Sequence, residues 1–398
     1  MELTVERLGP RGEGLAEGVT IPRTLPGEAV EGAVEGGRMA MPRILSPVAD
    51  RVKAPCPHYG ACGGCALMHA SDGFVAGWKA ERVIGALRAQ GIEAEVGAVH
   101  TSPPNARRRA ALSARRLKAG PIAGFHARAS DTVVRVPDCR LLLPSLIAAI
   151  PAAEAAAAMG ASRTGELSVT LTDSEAGVDM AVRGGRDPGP AERAALAGRF
   201  DLARLAWEGE ALTRRPPAQR FGDAAVVPPP GAFLQATREG EAALRGAVLD
   251  GLSGCRAVAD LFAGCGTFAL PLAEAAEVHA VEGSDAMVRA LDAGWRGAPG
   301  LRRVSVEARD LFRRPLLASE LAGFDGAVMD PPRAGGEAQA RALAEAGPPR
   351  LAMVSCDPAS FARDVAILLG GGYRLGRVEV VDQFRWSPHV EVVAALER

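Results

Sequence analysis

The sequence predicts an α/β protein whose C-terminal part is a parallel, doubly wound sheet closed by an antiparallel last strand. A small N-terminal β-barrel and an α+β central region are expected to precede it. Three observations carry this reading. From Arg256 onward, apolar runs of strand length alternate with helical stretches. Residues 1–50 are instead short β-type runs broken by Gly and Pro. Between these regions, Val226-Val227-Pro228-Pro229-Pro230 marks a boundary. The expected domains are therefore 1–50, 51–230 and 231–398.

In the first domain, Gly12-Glu13-Gly14-Leu15-Ala16, Leu25-Pro26-Gly27-Glu28 and Val30–Val34 have the spacing of strands in a small barrel. The second opens with clustered cysteines and continues through a predicted helix at Phe74–Gln90 and an alanine-rich helix at Leu146–Met159. That alanine-rich stretch falls short of the ~18 apolar residues of a membrane span. In the third, strands are expected at Arg256–Phe262, Val278–Glu282, Val304–Glu307, Gly326–Asp330, Leu351–Ser355 and Val378–Val381. The last, Val390–Leu396, follows too closely for a right-handed crossover and should run antiparallel to its neighbour.

A chain of 398 residues, 48% of them hydrophobic, can bury a sizeable core, which excludes disorder and a disulfide-stapled miniprotein. Lys+Arg 46 against Asp+Glu 47 leaves no net field, so a polyanion must be met by a local patch. Lysine occurs only at Lys53, Lys79 and Lys118. Met1–Pro10 holds acidic residues and no apolar run, so a cytoplasmic protein without membrane association is expected. No obligate protein partner is indicated. In that compartment seven cysteines point to metal binding or catalysis.

Asp260-Leu261-Phe262-Ala263-Gly264-Cys265-Gly266-Thr267-Phe268 reads as a buried strand entering a glycine loop and a helix over Ala269–Ala275. The second strand ends about twenty residues later at Glu282, placing a carboxylate where it can accept from both hydroxyls of a ribose. Loop and acid together favour a nucleotide or S-adenosylmethionine over an ordinary strand–turn–helix. Asp310 is a candidate for the adenine edge, with a helix N-cap as the competing role.

The fourth strand ends in Asp330-Pro331-Pro332-Arg333 and the fifth in Ser355-Cys356-Asp357-Pro358, so both open on the same sheet edge as the glycine loop. A thiolate is a soft nucleophile that can add to an electron-poor ring carbon such as C6 of uracil, making C5 reactive toward a methyl donor. Glu391, in His389-Val390-Glu391, is the candidate base for the C5 proton. Cys56, Cys62 and Cys65 form C-x5-C-G-G-C, with Cys139 as a distant fourth thiol. Thiolates suit a [4Fe–4S] cluster or, as runner-up, tetrahedral zinc, for which His58 and His69 lie nearby. Arg107-Arg108-Arg109 and Arg115-Arg116 fall in a stretch without acidic residues, Thr101–Ser130, a phosphate-contact face or a solvated one.

Taken in order, these motifs resemble the RNA 5-methyluridine methyltransferase family, and within it the iron–sulfur bacterial branch acting on 23S ribosomal RNA. The resemblance spans nearly the whole chain. Phe233-Leu234-Gln235 is similar to the family's Phe-x-Gln signature, Asp260–Gly266 to its S-adenosylmethionine loop, and Asp330–Arg333 to its uracil-side motif. Ser355–Pro358 with Ala362-Arg363-Asp364 resembles its nucleophile segment, and His389–Glu391 its base. The resemblance implies a class I S-adenosylmethionine-dependent fold and an N-terminal OB-like TRAM barrel, shortened here. It implies Cys356 as nucleophile and Glu391 as base, and cofactor contacts at Gln235, Phe262, Gly264, Thr267, Glu282, Asp310 and Asp330. Phe233, Asp330 and Arg333 would face the substrate, and Cys56, Cys62, Cys65 and Cys139 would hold the cluster. Two departures stand out: Thr237 replaces the usual Asn, and Phe384-Arg385-Trp386-Ser387-Pro388 lacks the usual Phe-Pro. The alternatives are a transfer-RNA uridine methyltransferase and a non-catalytic RNA-binding or redox-sensing relative.

Overall fold

The computed structural model describes every residue from Met1 to Arg398. The catalytic part is built on an eight-stranded sheet, in the order Val304–Ala308, Glu277–Glu282, Ala257–Leu261, Gly326–Met329, Arg350–Ser355, Glu391–Glu397, Arg374–Asp382 and Val96–Thr101. The first five strands are parallel. Glu391–Glu397 runs antiparallel to both of its neighbours, which gives the class I methyltransferase sheet. Strand centres such as Val258, Ala259, Val328 and Ala352 are buried, as they must be where helices cover both faces.

The eighth strand departs from the expected division of the chain. Val96–Thr101 lies within 51–230, yet it pairs in parallel with Arg374–Asp382. The helix before it, Asp72–Arg88, sends Val83 and Leu87 into the same core as Leu261 and Phe361. The hairpin Gln219–Phe221 and Ala224–Val226 likewise buries Phe221 and Val226 against Val248 and Leu270. The proline run marks a turn rather than a boundary between cores, because an apolar sheet edge and face must be covered wherever the covering residues lie in sequence.

The remaining central residues form a seven-stranded sheet running from Val133–Val134 to Glu210–Thr213. Helix Pro144–Gly160 packs on it through Ala149, Ala152, Ala153, Ala156 and Ala157, small side chains that let helix and sheet approach closely. The N-terminal residues form two three-stranded antiparallel sheets, with Leu3, Val5, Ile21, Val30 and Met39 in a shared core. No helix is long and apolar enough to cross a membrane.

One buried ion pair ties helix Asp72–Arg88 to the sheet. Lys79 Nζ donates to Asp382 Oδ1, and the two side chains are 0% and 1% exposed. Burial pushes the Lys79 pKa down and the Asp382 pKa up, and each partner opposes the shift of the other. Lys79→Met, which strands Asp382 unpaired, should cost about 3–5 kcal/mol of stability by guanidinium denaturation. A loss below about 1 kcal/mol would show that the pair is not held dry.

Candidate active site

At the carboxyl end of Ala257–Leu261 the chain turns sharply. Phe262 takes a positive φ of 66°, a strained conformation for an aromatic residue, and Gly264 and Gly266 follow at 58° and 97°. A Cβ on Gly266 would lie 2.9 Å from Leu270, so glycine is required there. Glu282 closes the loop, accepting from Gly264 N at 3.0 Å and Ser284 N at 2.8 Å. The Phe262 ring lies 5.4 Å from Phe312, and Asp310 accepts from Phe312 N at 3.0 Å. Asp310 thus shapes the turn that carries Phe312, beside the loop. Asp260 lies beneath with both carboxylate oxygens buried and unpartnered, and burial raises its pKa to about 8. Thr267 is partly exposed on the loop.

Cys356 sits between strand Arg350–Ser355 and helix Pro358–Gly370. Asp357 caps that helix, accepting from Ala359 N and Ser360 N at 3.0 and 3.1 Å. Burial, reinforced by the nearby Glu391 and Asp330 carboxylates, raises the Cys356 pKa to about 12. Glu391 is 2% exposed, and burial drives its pKa well above the ordinary value, with Asp330 adding to the shift. Asp330, deep in the cleft but still in touch with solvent, is raised to about 7 by burial. The three predicted groups are therefore brought together as an acidic, proton-holding cluster.

Gln383, which sequence reasoning passed over, joins this cluster. It donates to Glu391 Oε1 at 3.1 Å and to Gln235 Oε1, while Gln235 donates to Asp330 Oδ2 at 3.3 Å. Its only sequence signal is its place in the loop between the last two strands. Thr237, one of the two departures, caps helix Arg238–Gly251 by accepting from Gly240 N at 3.0 Å.

A cavity of about 450 Å³ opens over Cys356, lined also by Gly63, Gly64, Arg107, Arg333 and Phe384. Its far wall is the cysteine segment, fixed to the catalytic loop by Ala66 N and Leu67 N donating to Trp386 O at 2.8 and 2.9 Å. Arg107 lies over the Phe384 ring at 5.6 Å. Arg333 is exposed and stands 3.5 Å from Asp357. Phe233 is 58% exposed.

The basic stretch is not one face. Arg108 is buried against Glu241 and donates from Nε to Gln235 O at 3.0 Å. Arg109 donates to the Ala232 and Gly231 carbonyls at 2.9 and 3.0 Å. Together they hold the Gly231–Ala236 segment in place. Arg107 alone of the triplet faces the cavity. Arg116 and Lys118 are exposed.

Cys56, Cys62, Cys65 and Cys139 line one small, largely apolar cavity of about 20 Å³. Burial, followed by its three companion thiols, raises Cys65 to about 12. His58 reaches the rim of this cavity. His69 is instead held by the Tyr59 hydroxyl at 2.7 Å. No group of three or more His, Cys, Asp or Glu side chains is set to hold a single metal ion.

Sheet order, strained glycine loop and thiol-bearing strand end point to a methyltransferase. No protein-family model matches the chain. Among curated proteins it is 42% identical to an RNA methyltransferase of Rhizobium meliloti, over 100% of this chain and 99% of that one. It is 35% identical to the 23S rRNA (uracil(1939)-C(5))-methyltransferase of Halomonas elongata, over 100% of this chain and 89% of that one. The fold matches that of the Pyrococcus abyssi tRNA (uracil-54, C5)-methyltransferase in complex with S-adenosyl-L-homocysteine. That match has a TM-score of 0.77 and 21% identity, covering 100% of this chain and 99% of that one. The chain belongs to the RNA methyltransferase family.

Because the Cys356 thiol rests protonated, its alkylation by iodoacetamide, followed by peptide mass spectrometry, should be slower than in the unfolded chain. The rate should go on rising beyond about pH 9, above the ordinary cysteine value. A plateau reached below neutral pH would contradict the raised pKa.

Proposed function

We propose that the protein methylates C5 of a uridine in RNA, with 23S ribosomal RNA as the substrate class. The observation that carries this reading is the grouping of Cys356, which opens on the cavity, with the carboxyls of buried Glu391 and of Asp330 behind it. Full-length identity to a 23S rRNA uracil methyltransferase supports the choice of substrate. S-adenosylmethionine would be held by the Phe262–Thr267 loop with Glu282 and the Phe262–Phe312 pair, and would supply the electrophilic methyl group.

The Cys356 thiol gives up its proton to solvent, its sulfur adds to C6, and the C5=C6 electron pair moves onto the carbonyl at C4 to give an enolate. Asp330 and Gln235 hold the ring edge where that charge develops. C5 takes up the methyl group. Glu391, in its carboxylate form, removes the C5 proton, the double bond re-forms as the C6–S bond breaks, and the thiolate leaves. The target base must be flipped or looped out to enter the cavity, with Phe233 and Arg107 at its approaches and Arg333 at its rim.

We also propose that Cys56, Cys62, Cys65 and Cys139 hold a [4Fe–4S] cluster. Four thiols around one apolar cavity are a donor set that such a cluster takes, with zinc as the runner-up. With all four ligands supplied by protein, the cluster would bind the cysteine loop to the segment that carries Cys139, beside the existing contact in which Gly63 N donates to His126 O at 2.9 Å.

The test is incubation with labelled S-adenosylmethionine and total RNA from a strain lacking the gene, followed by mapping of 5-methyluridine. Signal in one large-subunit fragment is expected, whereas signal confined to transfer RNA, or absent, contradicts the reading. Glu391→Gln should accumulate a methylated protein–RNA adduct on denaturing gels, and normal turnover in that variant would remove Glu391 from the base role. Cys62→Ser should lose iron when purified anaerobically, and unchanged iron content would refute the ligand set.

A further inference from the structure

The carboxylates of the site are joined by amides whose direction is set by one backbone group. Ala236 N donates to Gln383 Oε1 at 2.6 Å. A backbone N–H can meet only the oxygen end of an amide, so this contact fixes which way Gln383 is turned. Its NH2 group then donates to Glu391 Oε1 at 3.1 Å and to Gln235 Oε1. With its oxygen engaged, Gln235 turns Nε2 toward Asp330 Oδ2 at 3.3 Å. Gln235, Gln383 and Glu391 are 2%, 1% and 2% exposed, so water cannot substitute for a missing partner. Helix Arg238–Gly251 leaves Gln383 no room to move, since a Cβ on Gly240 would lie 2.5 Å from the Gln383 Cβ. The Ala236 anchor is itself fixed by Arg108, whose backbone N donates to Ala236 O at 3.0 Å.

We infer that Gln383 is a positioning residue for base choice, locking Gln235 so that the pocket presents a donor beside the Asp330 acceptor. This order matches O4 and N3–H of uracil and opposes the 4-amino group and bare N3 of cytosine. Cytosine needs the reverse order, which a flipped Gln235 beside a protonated Asp330 would supply. The flip is blocked because it would set the Gln235 NH2 against the Gln383 NH2. Selectivity thus comes from a repulsive arrangement built behind the residues that touch the base. The inference rests on the uridine reading and adds to it the residue that enforces the choice.

The test compares the wild type with Gln383→Met, which keeps the length but neither donates nor accepts as an amide. The probe is the methylated RNA fragment mapped above, prepared with U or C at the target position, and binding is followed by anisotropy in saturating S-adenosylhomocysteine. The wild type should prefer U by about tenfold or more, the range of a bidentate polar mismatch. Gln383→Met should lose most of that preference while keeping its S-adenosylhomocysteine affinity, and its KM for the U fragment should rise along with a fall in kcat. Retention of the full preference overturns the inference. Should Gln383→Met fail to bind S-adenosylhomocysteine, Gln383→Leu serves instead: it can neither accept from Ala236 N nor donate to Gln235, and the same loss is expected. A wild type that methylates the fragment yet binds U and C alike defeats the inference alone. A wild type that methylates no uridine defeats the uridine reading and the inference together.

Discussion

The active site depends on how the loop after strand Arg374–Asp382 is held. Lys79 anchors its first residue, Asp382, in a dry ion pair, and also reaches Phe384 O at 3.3 Å. The next residue, Gln383, organises the carboxylates. Trp386, at a positive φ of 60°, is buried in the core of the central sheet and takes two amides of the cysteine segment on its carbonyl. Arg385 spans to Ser102 O and Asp72. One short loop therefore connects the catalytic sheet, the central sheet and the cysteine segment, and Glu391 follows at its end. Misplacing its first residue would propagate to every group that surrounds the cavity.

Electrostatics work in the same direction. Burial keeps Asp260, Asp330, Glu391 and Cys356 above their ordinary pKa values, and neighbouring carboxylates add to the shift of all but Asp330. Protein groups alone leave this cluster short of positive charge, which suits a site meant to receive a cationic sulfonium beside a polarisable base. The same surroundings favour the protonated form of the Cys356 thiol. The buried Arg108–Glu241 pair supplies rigidity to the Gln235 backbone rather than charge to the substrate.

Much of this was legible in the sequence because a parallel sheet delivers its functional residues at strand ends, where motif and secondary structure coincide. The glycine loop, Glu282, Asp330, Cys356 and Glu391 were readable for that reason, and so was the antiparallel last strand. Contacts between residues far apart in the chain were not readable. Nothing local marks Lys79 as the partner of Asp382, Val96–Thr101 as a strand of the C-terminal sheet, or Arg108 as the partner of Glu241. Charge patterning suggested a phosphate face for Arg108 and Arg109, but burial decides their role, and burial is a tertiary property. Gln383 escaped notice because an amide carries no chemical signature until its neighbours fix its direction.

Covalent addition of Cys356 to C6 of a uridine is the central claim, and RNA carrying 5-fluorouridine at the target tests it most directly. After sulfur addition and methyl transfer, C5 bears fluorine and no proton, so Glu391 has nothing to remove and the adduct cannot resolve. A methylated RNA–protein conjugate, mapped by peptide mass spectrometry to Cys356, is the result the account predicts. Efficient methylation of ordinary uridine without any conjugate on the fluorinated RNA would contradict it.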